Sequence, residues 1–127
     1  MTTILVAEDE RDIRELIAFS LHFGGFEVEE AVNGIEAVEK ARKLRPDLII
    51  MDVRMPKKTG YEACQELKEA DETRDIPIVF LSAKGQEAEI KQGMELGAVD
   101  YILKPFEAEQ LPKRMAEILK GTTRHKK

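Results

Sequence analysis

The chain has 127 residues, 20 Lys and Arg against 25 Asp and Glu, and a single Cys, a length that fits one domain with one core. Four bases (Lys120, Arg124, Lys126 and Lys127) fall at the end without an acid, so 16 bases face 25 acids over residues 1–119, which argues against direct binding of nucleic acid. A lone cysteine suits a reducing cytosol, no apolar run approaches the ~18 residues of a membrane span, and Met1 opens on no basic leader, so a cytoplasmic chain with no membrane partner is expected.

A first strand is predicted over Thr3–Ala7. Ile13, Leu16, Ile17, Ser20 and Leu21 then share one helical face, which Gly24 and Gly25 end. Phe26–Glu30 alternates like an edge strand with one wetter side. Asn33 with Glu36 reads as a helix N-cap, opening a helix through Val38, Ala41 and Leu44 that stops before Pro46. A third strand covers Asp47–Met51, and Thr59 with Glu62 repeats the capping device before Cys64 and Leu67. Cys64 at that spacing is a small core residue, not a redox centre. Strands over Ile76–Leu81 and Val99–Leu103 flank a helix marked by Ile90, Met94 and Gly97, and Leu111, Met115 and Ile118 mark the last helix. Pro112 falls some way into that helix, so it either begins late, near Glu109, or is kinked.

Five strands alternating with five helices imply a parallel sheet with helices on both faces. The third and fourth strands are nearly continuous apolar runs and should be central. Ligands in such sheets bind outside the carboxyl ends of the strands. Those ends carry Glu8 and Asp9, Asp52, Ser82, and Lys104 with Pro105. Singly, each has an ordinary reading: Asp9 or Ser82 as a helix cap, Asp52 as a turn residue, Lys104 as a surface lysine. Together they fall at one structural offset, which no helix surface or loop composition requires. Like charges at 4 Å repel by ~4 kcal/mol at an effective dielectric of 20, so the cluster needs a proton, a cation or the lysine. Oxygen donors without His or Cys suit a hard ion that keeps several waters, Mg²⁺ better than Ca²⁺. One carboxylate would remain free to attack a phosphoryl group, with Lys104, Ser82 and backbone N–H groups supporting the incoming oxygens.

Glu8-Asp9, Asp52 through Pro56, Thr59-Gly60, Leu81 through Ala83 and Tyr101 through Phe106 resemble a response-regulator receiver domain, over residues 3 to 120. The resemblance implies the flavodoxin-like (βα)5 fold with strand order 2-1-3-4-5, an order for which a member of this family is itself a standard example. It implies a domain over 1–120 and a basic tail or linker start over 121–127. It makes Asp52 the phosphoacceptor, Asp9 a direct Mg²⁺ ligand, Glu8 a ligand through water, and the Arg54 main-chain carbonyl a further ligand. Ser82 becomes the switch hydroxyl, Lys104 the phosphate-binding lysine, Tyr101 the switch aromatic, and Lys104–Pro105 a cis peptide. Arg54 and Lys84 would tune hydrolysis.

The implied function is a phosphorelay switch rather than a turnover enzyme. A sensor histidine kinase or phosphotransfer protein would be the donor, and a downstream effector protein or domain the target. Two other readings fit less well. A haloacid dehalogenase-type phosphatase would need an acid where Arg54 stands, and a flavodoxin would need a glycine- and hydroxyl-rich phosphate loop where Glu8 and Asp9 stand. Asp100 and Arg114 match one cross-subunit ion pair of dimerising family members, but Ile90 and Gln110 stand where a companion pair would be. A monomer is expected without phosphate, and at most a weak dimer with it. His22 and His125 lack a partner pattern, and Lys57 with Lys58 is expected to be a solvated loop tip.

Overall fold

A computed structural model of the protein describes residues 2–83 and 87–125. In chain order the elements are β1 Thr3–Ala7, α1 Arg11–Phe23, β2 Glu27–Ala31, α2 Gly34–Leu44, β3 Leu48–Asp52, α3 Gly60–Glu69, β4 Ile78–Ala83, α4 Glu87–Glu95, β5 Asp100–Lys104 and α5 Leu111–His125, with a 3₁₀ turn at Ala108–Gln110. The strands form one parallel sheet of order β2-β1-β3-β4-β5, the flavodoxin-like arrangement.

The two-residue period of the strands splits their side chains between two cores. Leu5, Ala7, Ile49, Met51, Ile78 and Phe80 meet Val38, Ala41, Ala63, Cys64 and Leu67 from α2 and α3. On the opposite face Ile4, Val6, Leu48, Ile50, Val79, Leu81 and Ile102 meet Ile17 and Leu21 of α1 and Leu111 and Met115 of α5. Burying a Leu or Ile side chain contributes about 1.5–3 kcal/mol, so these two layers dominate the favourable side of folding. All five residues of β3 are buried, as are the first five of β4, in keeping with their central place.

Four of the five strands extend or shift past their predicted ends. Backbone pairing continues after the apolar run, because Asp52 pairs with Leu81, Ser82 with Leu103 and Ala83 with Lys104 in the ladder. Hydrogen bonding there is indifferent to side-chain polarity, so the polar residues at the rim belong to the strands themselves. Helices differ from expectation in their faces. Leu16, Leu44 and Met94 are exposed rather than core. Along α4 it is Gly93 that lies inward, and a Cβ there would come within 2.8 Å of the Phe80 ring. Lys58 is no solvated tip: its ammonium pairs with Glu66, and its carbonyl packs where a Cβ on Gly34 would stand.

The caps follow the sequence closely. The Asn33 side chain accepts from Glu36 N at 2.8 Å, and α2 ends on Arg45 in the left-handed region at φ 47°. Thr59 accepts from Glu62 N at 3.1 Å, while Glu62 accepts from Thr59 N at 2.9 Å. Pro112 stands in the first turn of α5, where no intrahelical partner for its missing N–H is needed, so the helix begins late rather than kinking. Its backbone continues to His125, while Lys126 and Lys127 lie outside the described residues.

Thr59→Ala removes the bond that the Thr59 hydroxyl accepts from Glu62 N, while the bond from Thr59 N to Glu62 remains, and is expected to cost about 1 kcal/mol. Urea unfolding should show the loss as a lower midpoint at unchanged slope; an unshifted midpoint would show that the cap contributes nothing.

Candidate functional site

The parallel sheet delivers the ends of β1, β3 and β5 to one edge. Glu8 follows β1 directly, its N–H held by the Ala31 carbonyl at 3.0 Å. Its side chain is completely buried. Asp9 is exposed beside it, and one carboxylate oxygen each from Glu8, Asp9 and Asp52 lies within 4.8 Å of the others. Asp52 closes β3, with Oδ1 accepting from Arg54 N at 3.2 Å. Lys104 closes β5 and reaches across both: its Nζ donates to Asp52 Oδ2 at 2.8 Å and stands 3.0 Å from Glu8 Oε1. The Lys104–Pro105 peptide is cis, as the resemblance implied.

A cavity of about 290 Å³ opens here, lined by Asp9, Glu10, Asp52, Val53, Arg54, Ala83 and Lys104. Ser82 is buried in β4 next to Ala83, and among the described residues its hydroxyl makes only a long contact, 3.5 Å, to the Ala83 carbonyl. Tyr101 sits half-buried on the α2–α3 side of the sheet. Two ordinary readings fall away. Asp9 does not cap α1, since the cap position is Glu10 and carries no side-chain bond. Ser82 lies inside a strand, not at a helix start. Lys84 lies outside the described residues.

Electrostatics reflect the crowding. Burial raises the Glu8 carboxyl to about 7; its bond from Glu10 N opposes the shift and the Asp52 charge adds to it. Burial works against the Lys104 ammonium, yet the bonds and charges of Asp52 and Glu8 hold its pKa above the ordinary value. Among the described residues Glu8 Oε1 accepts no well-aligned hydrogen bond despite its burial, although the Lys104 ammonium stands close to it. A buried carboxylate oxygen left in that condition, within an all-oxygen cluster, fits a hard divalent cation.

Two features were not foreseen. Arg14 of α1 is 13% exposed and donates to the Glu8 carbonyl and to Glu30. Phe19 and Phe23 stand out from α1, 71% and 85% exposed, with their rings stacked at 6.4 Å. The signal for the second was present, since both lie off the face that Ile17 and Leu21 bury.

Known proteins resemble the chain over nearly its whole length. The response regulator receiver domain family matches residues 4–116. The phosphate regulon transcriptional regulatory protein PhoB of Pseudomonas aeruginosa is 43% identical over 120 residues, which is 94% of this chain and 52% of that protein. The transcriptional regulator RpaA of Synechocystis is 39% identical over 98% of this chain and 52% of its own length. The chain therefore spans about half the length of these curated relatives. Among solved structures, the Vibrio cholerae chemotaxis protein CheY4 superposes with a TM-score of 0.86 at 34% identity, covering 93% of this chain and 98% of that one. The receiver domain of a Syntrophus aciditrophicus histidine kinase gives 0.86 at 35% identity, over 95% and 92%. Among the described residues, no helix is long and apolar enough to cross a membrane.

A raised carboxyl pKa binds its proton more tightly in the fold than in the open chain. The Glu8 contribution to stability is thus complete below about 4.5 and is lost as pH rises toward about 7. In chelator, urea midpoints of the parent are expected to fall across that window, and Glu8→Gln is expected to flatten the fall. An identical slope in both proteins would assign it to other groups.

Proposed function

Because the chain belongs to the response regulator receiver domain family, we propose that it is a phosphorylation-controlled switch whose acceptor is Asp52. Receivers are phosphoacceptor signalling modules of two-component systems rather than turnover enzymes. The observation that carries the assignment is the Lys104 ammonium, bonded to Asp52 and paired with Glu8 at the mouth of an acidic cavity. The donor is the phosphohistidine of a sensor kinase or of a phosphotransfer protein. An Asp52 carboxylate oxygen attacks phosphorus, and the new P–O bond forms as the P–N bond breaks. The bonding pair leaves with the imidazole nitrogen, which then takes a proton. Lys104 already neutralises Asp52 and is placed to accompany the phosphoryl oxygens, with the Ser82 hydroxyl as a further donor. Asp9, Asp52 and the Arg54 main-chain carbonyl would hold Mg²⁺, with Glu8 acting through water, and the ion would supply charge neutralisation at those oxygens.

The switch proceeds through Ser82 and Tyr101. Once Asp52 carries phosphate, Ser82 turns to it and Tyr101 moves inward, reshaping the face of α4, β5 and α5, where Met94, Val99 and Leu103 are exposed. A downstream effector protein or domain reads that face. Asp100, which could have bridged two subunits, is occupied within the chain: Arg114 holds it at 3.0 and 3.1 Å and also donates to the Tyr101 carbonyl. We therefore take the unphosphorylated protein to be monomeric and the active form to dimerise weakly at most. A stable dimer in sedimentation at ~10–100 μM, which requires about −6 to −7 kcal/mol, would overturn this.

The donor meets the protein along α1. Leu16, Phe19 and Phe23 join Ala108 and Pro112 around a groove of about 440 Å³, with Glu107 and Glu109 on its rim. Leu16, Phe19 and Phe23 form a patch of three exposed apolar side chains. Such a patch falls below the ~800 Å² per partner of a stable complex and suits a transient encounter with an apolar, basic-edged helix.

Two variants separate chemistry from docking. Asp52→Asn should abolish labelling by acetyl phosphate with Mg²⁺, whereas Phe19→Asp should label normally from acetyl phosphate yet accept phosphate from a phosphohistidine protein at least tenfold more slowly. Full labelling of Asp52→Asn would remove Asp52 as acceptor. Equal transfer to Phe19→Asp and to the parent would remove the α1 groove as the docking face.

A further inference from the structure

We propose that Arg14 is a positioning residue for the cation site, fixing the peptide between Glu8 and Asp9 so that the Asp9 carboxylate stands beside Asp52. The inference rests on the Mg²⁺ reading above. Arg14 lies in the first turn of α1, and its side chain is largely buried. Its NH1 donates to the Glu8 carbonyl at 3.0 Å, and its Nε donates to Glu30 Oε1 at 3.0 Å. The Glu8 carbonyl belongs to the very peptide whose nitrogen is that of Asp9, so its direction sets where the Asp9 side chain begins.

Glu30 is a firm anchor for such a strut. Lys40 of α2 donates to its carbonyl, and the next residue, Ala31, accepts from Glu8 N at 3.0 Å. The end of β2 therefore grips Glu8 twice, directly through Ala31 and through Arg14 by way of the Glu30 side chain. The carboxylate of Glu8 is held in turn by Glu10 N at 3.0 Å and by Lys104. Every polar group of Glu8 except Oε1 has a directional partner. Among the described residues no hydrogen bond or ion pair holds the Asp9 side chain, and its placement comes through the backbone that Arg14 fixes.

A guanidinium is suited to this task because its planar fork presents two donors in fixed relation, which a flexible ammonium does not. Partners that orient metal ligands from behind typically carry 10–100-fold in affinity. The sign of the effect separates positioning from simple charge. Arg14 is a cation near a cation site, so if it acted by charge alone its removal would tighten Mg²⁺ binding. If it positions Asp9, its removal weakens binding.

The test is the Mg²⁺ dissociation constant by calorimetry, with ¹H–¹⁵N spectra to verify that each variant is folded. Arg14→Ala is expected to bind Mg²⁺ at least tenfold more weakly than the parent. Arg14→Lys, which preserves the charge and loses the fork, is expected to weaken binding severalfold, and it decides the matter if Arg14→Ala does not fold. Unchanged or tighter binding in either folded variant overturns the proposal while leaving the metal site intact. Absence of saturable binding in the parent would instead overturn the Mg²⁺ reading, and this inference with it.

Discussion

One ammonium group holds the business end of this protein together. Lys104 stands 2.8 Å from an oxygen of Asp52 and 3.0 Å from one of Glu8. At such distances each attraction is worth roughly 6 kcal/mol at an effective dielectric of 20, before the cost of taking the groups out of water. A third carboxylate, Asp9, completes a cluster that a single lysine cannot neutralise. The site is therefore built with a standing deficit of positive charge. Such a deficit attracts a hard cation, and on the proposed function the same lysine turns from the Asp52 carboxylate to phosphoryl oxygens without leaving the pocket.

The fold makes that concentration possible. Glu8, Asp52 and Lys104 are separated by more than forty residues at each step, yet each follows a strand of the same direction in the same sheet. Parallel pairing places all carboxyl ends on one edge, and the ladder fixes their stagger: Asp52 opposite Leu81, Ala83 opposite Lys104. Two apolar cores beneath the rim, one on each face, keep those strands rigid. The outer ring of contacts then refines the geometry. Ala31, Arg14 and Glu10 set the main chain of the first acid pair, just as the β3–α3 loop is set by Gly60, where a Cβ would collide with the Asp52 carbonyl.

Much of this was legible in the sequence because the informative residues interrupt a strong pattern. An apolar strand ending in an acid or a lysine is conspicuous, and three such interruptions at one offset, with the Ser82 hydroxyl as a fourth polar end, name the rim. The caps at Asn33 and Thr59 were equally plain, being local chemistry with fixed spacing. Strand ends were less so, since backbone ladders run on under polar side chains. Helix faces were read correctly at their centres and incorrectly at their margins. Leu16 and Met94 sit at the border of an apolar arc, and whether such a residue is covered depends on the neighbouring element, not on its own helix. Arg14 was invisible for a different reason. A charged residue on a helix looks like solvent-facing chemistry until the strand beside it is known to present Glu30 to it.

The outer strand β2 has a meaning of its own. Glu27 and Glu29 stand on it, and it pairs with β1 along one side while its other side ends the sheet. Exposed strand edges invite a neighbouring molecule to continue the ladder. A second copy of this strand laid in register would line up carboxylates at ~4.8 Å spacing, row upon row, with nothing to absorb the charge. The acidic composition that first argued against nucleic acid thus also closes this end of the sheet: the charge on β2 opposes the addition of a second copy of the strand.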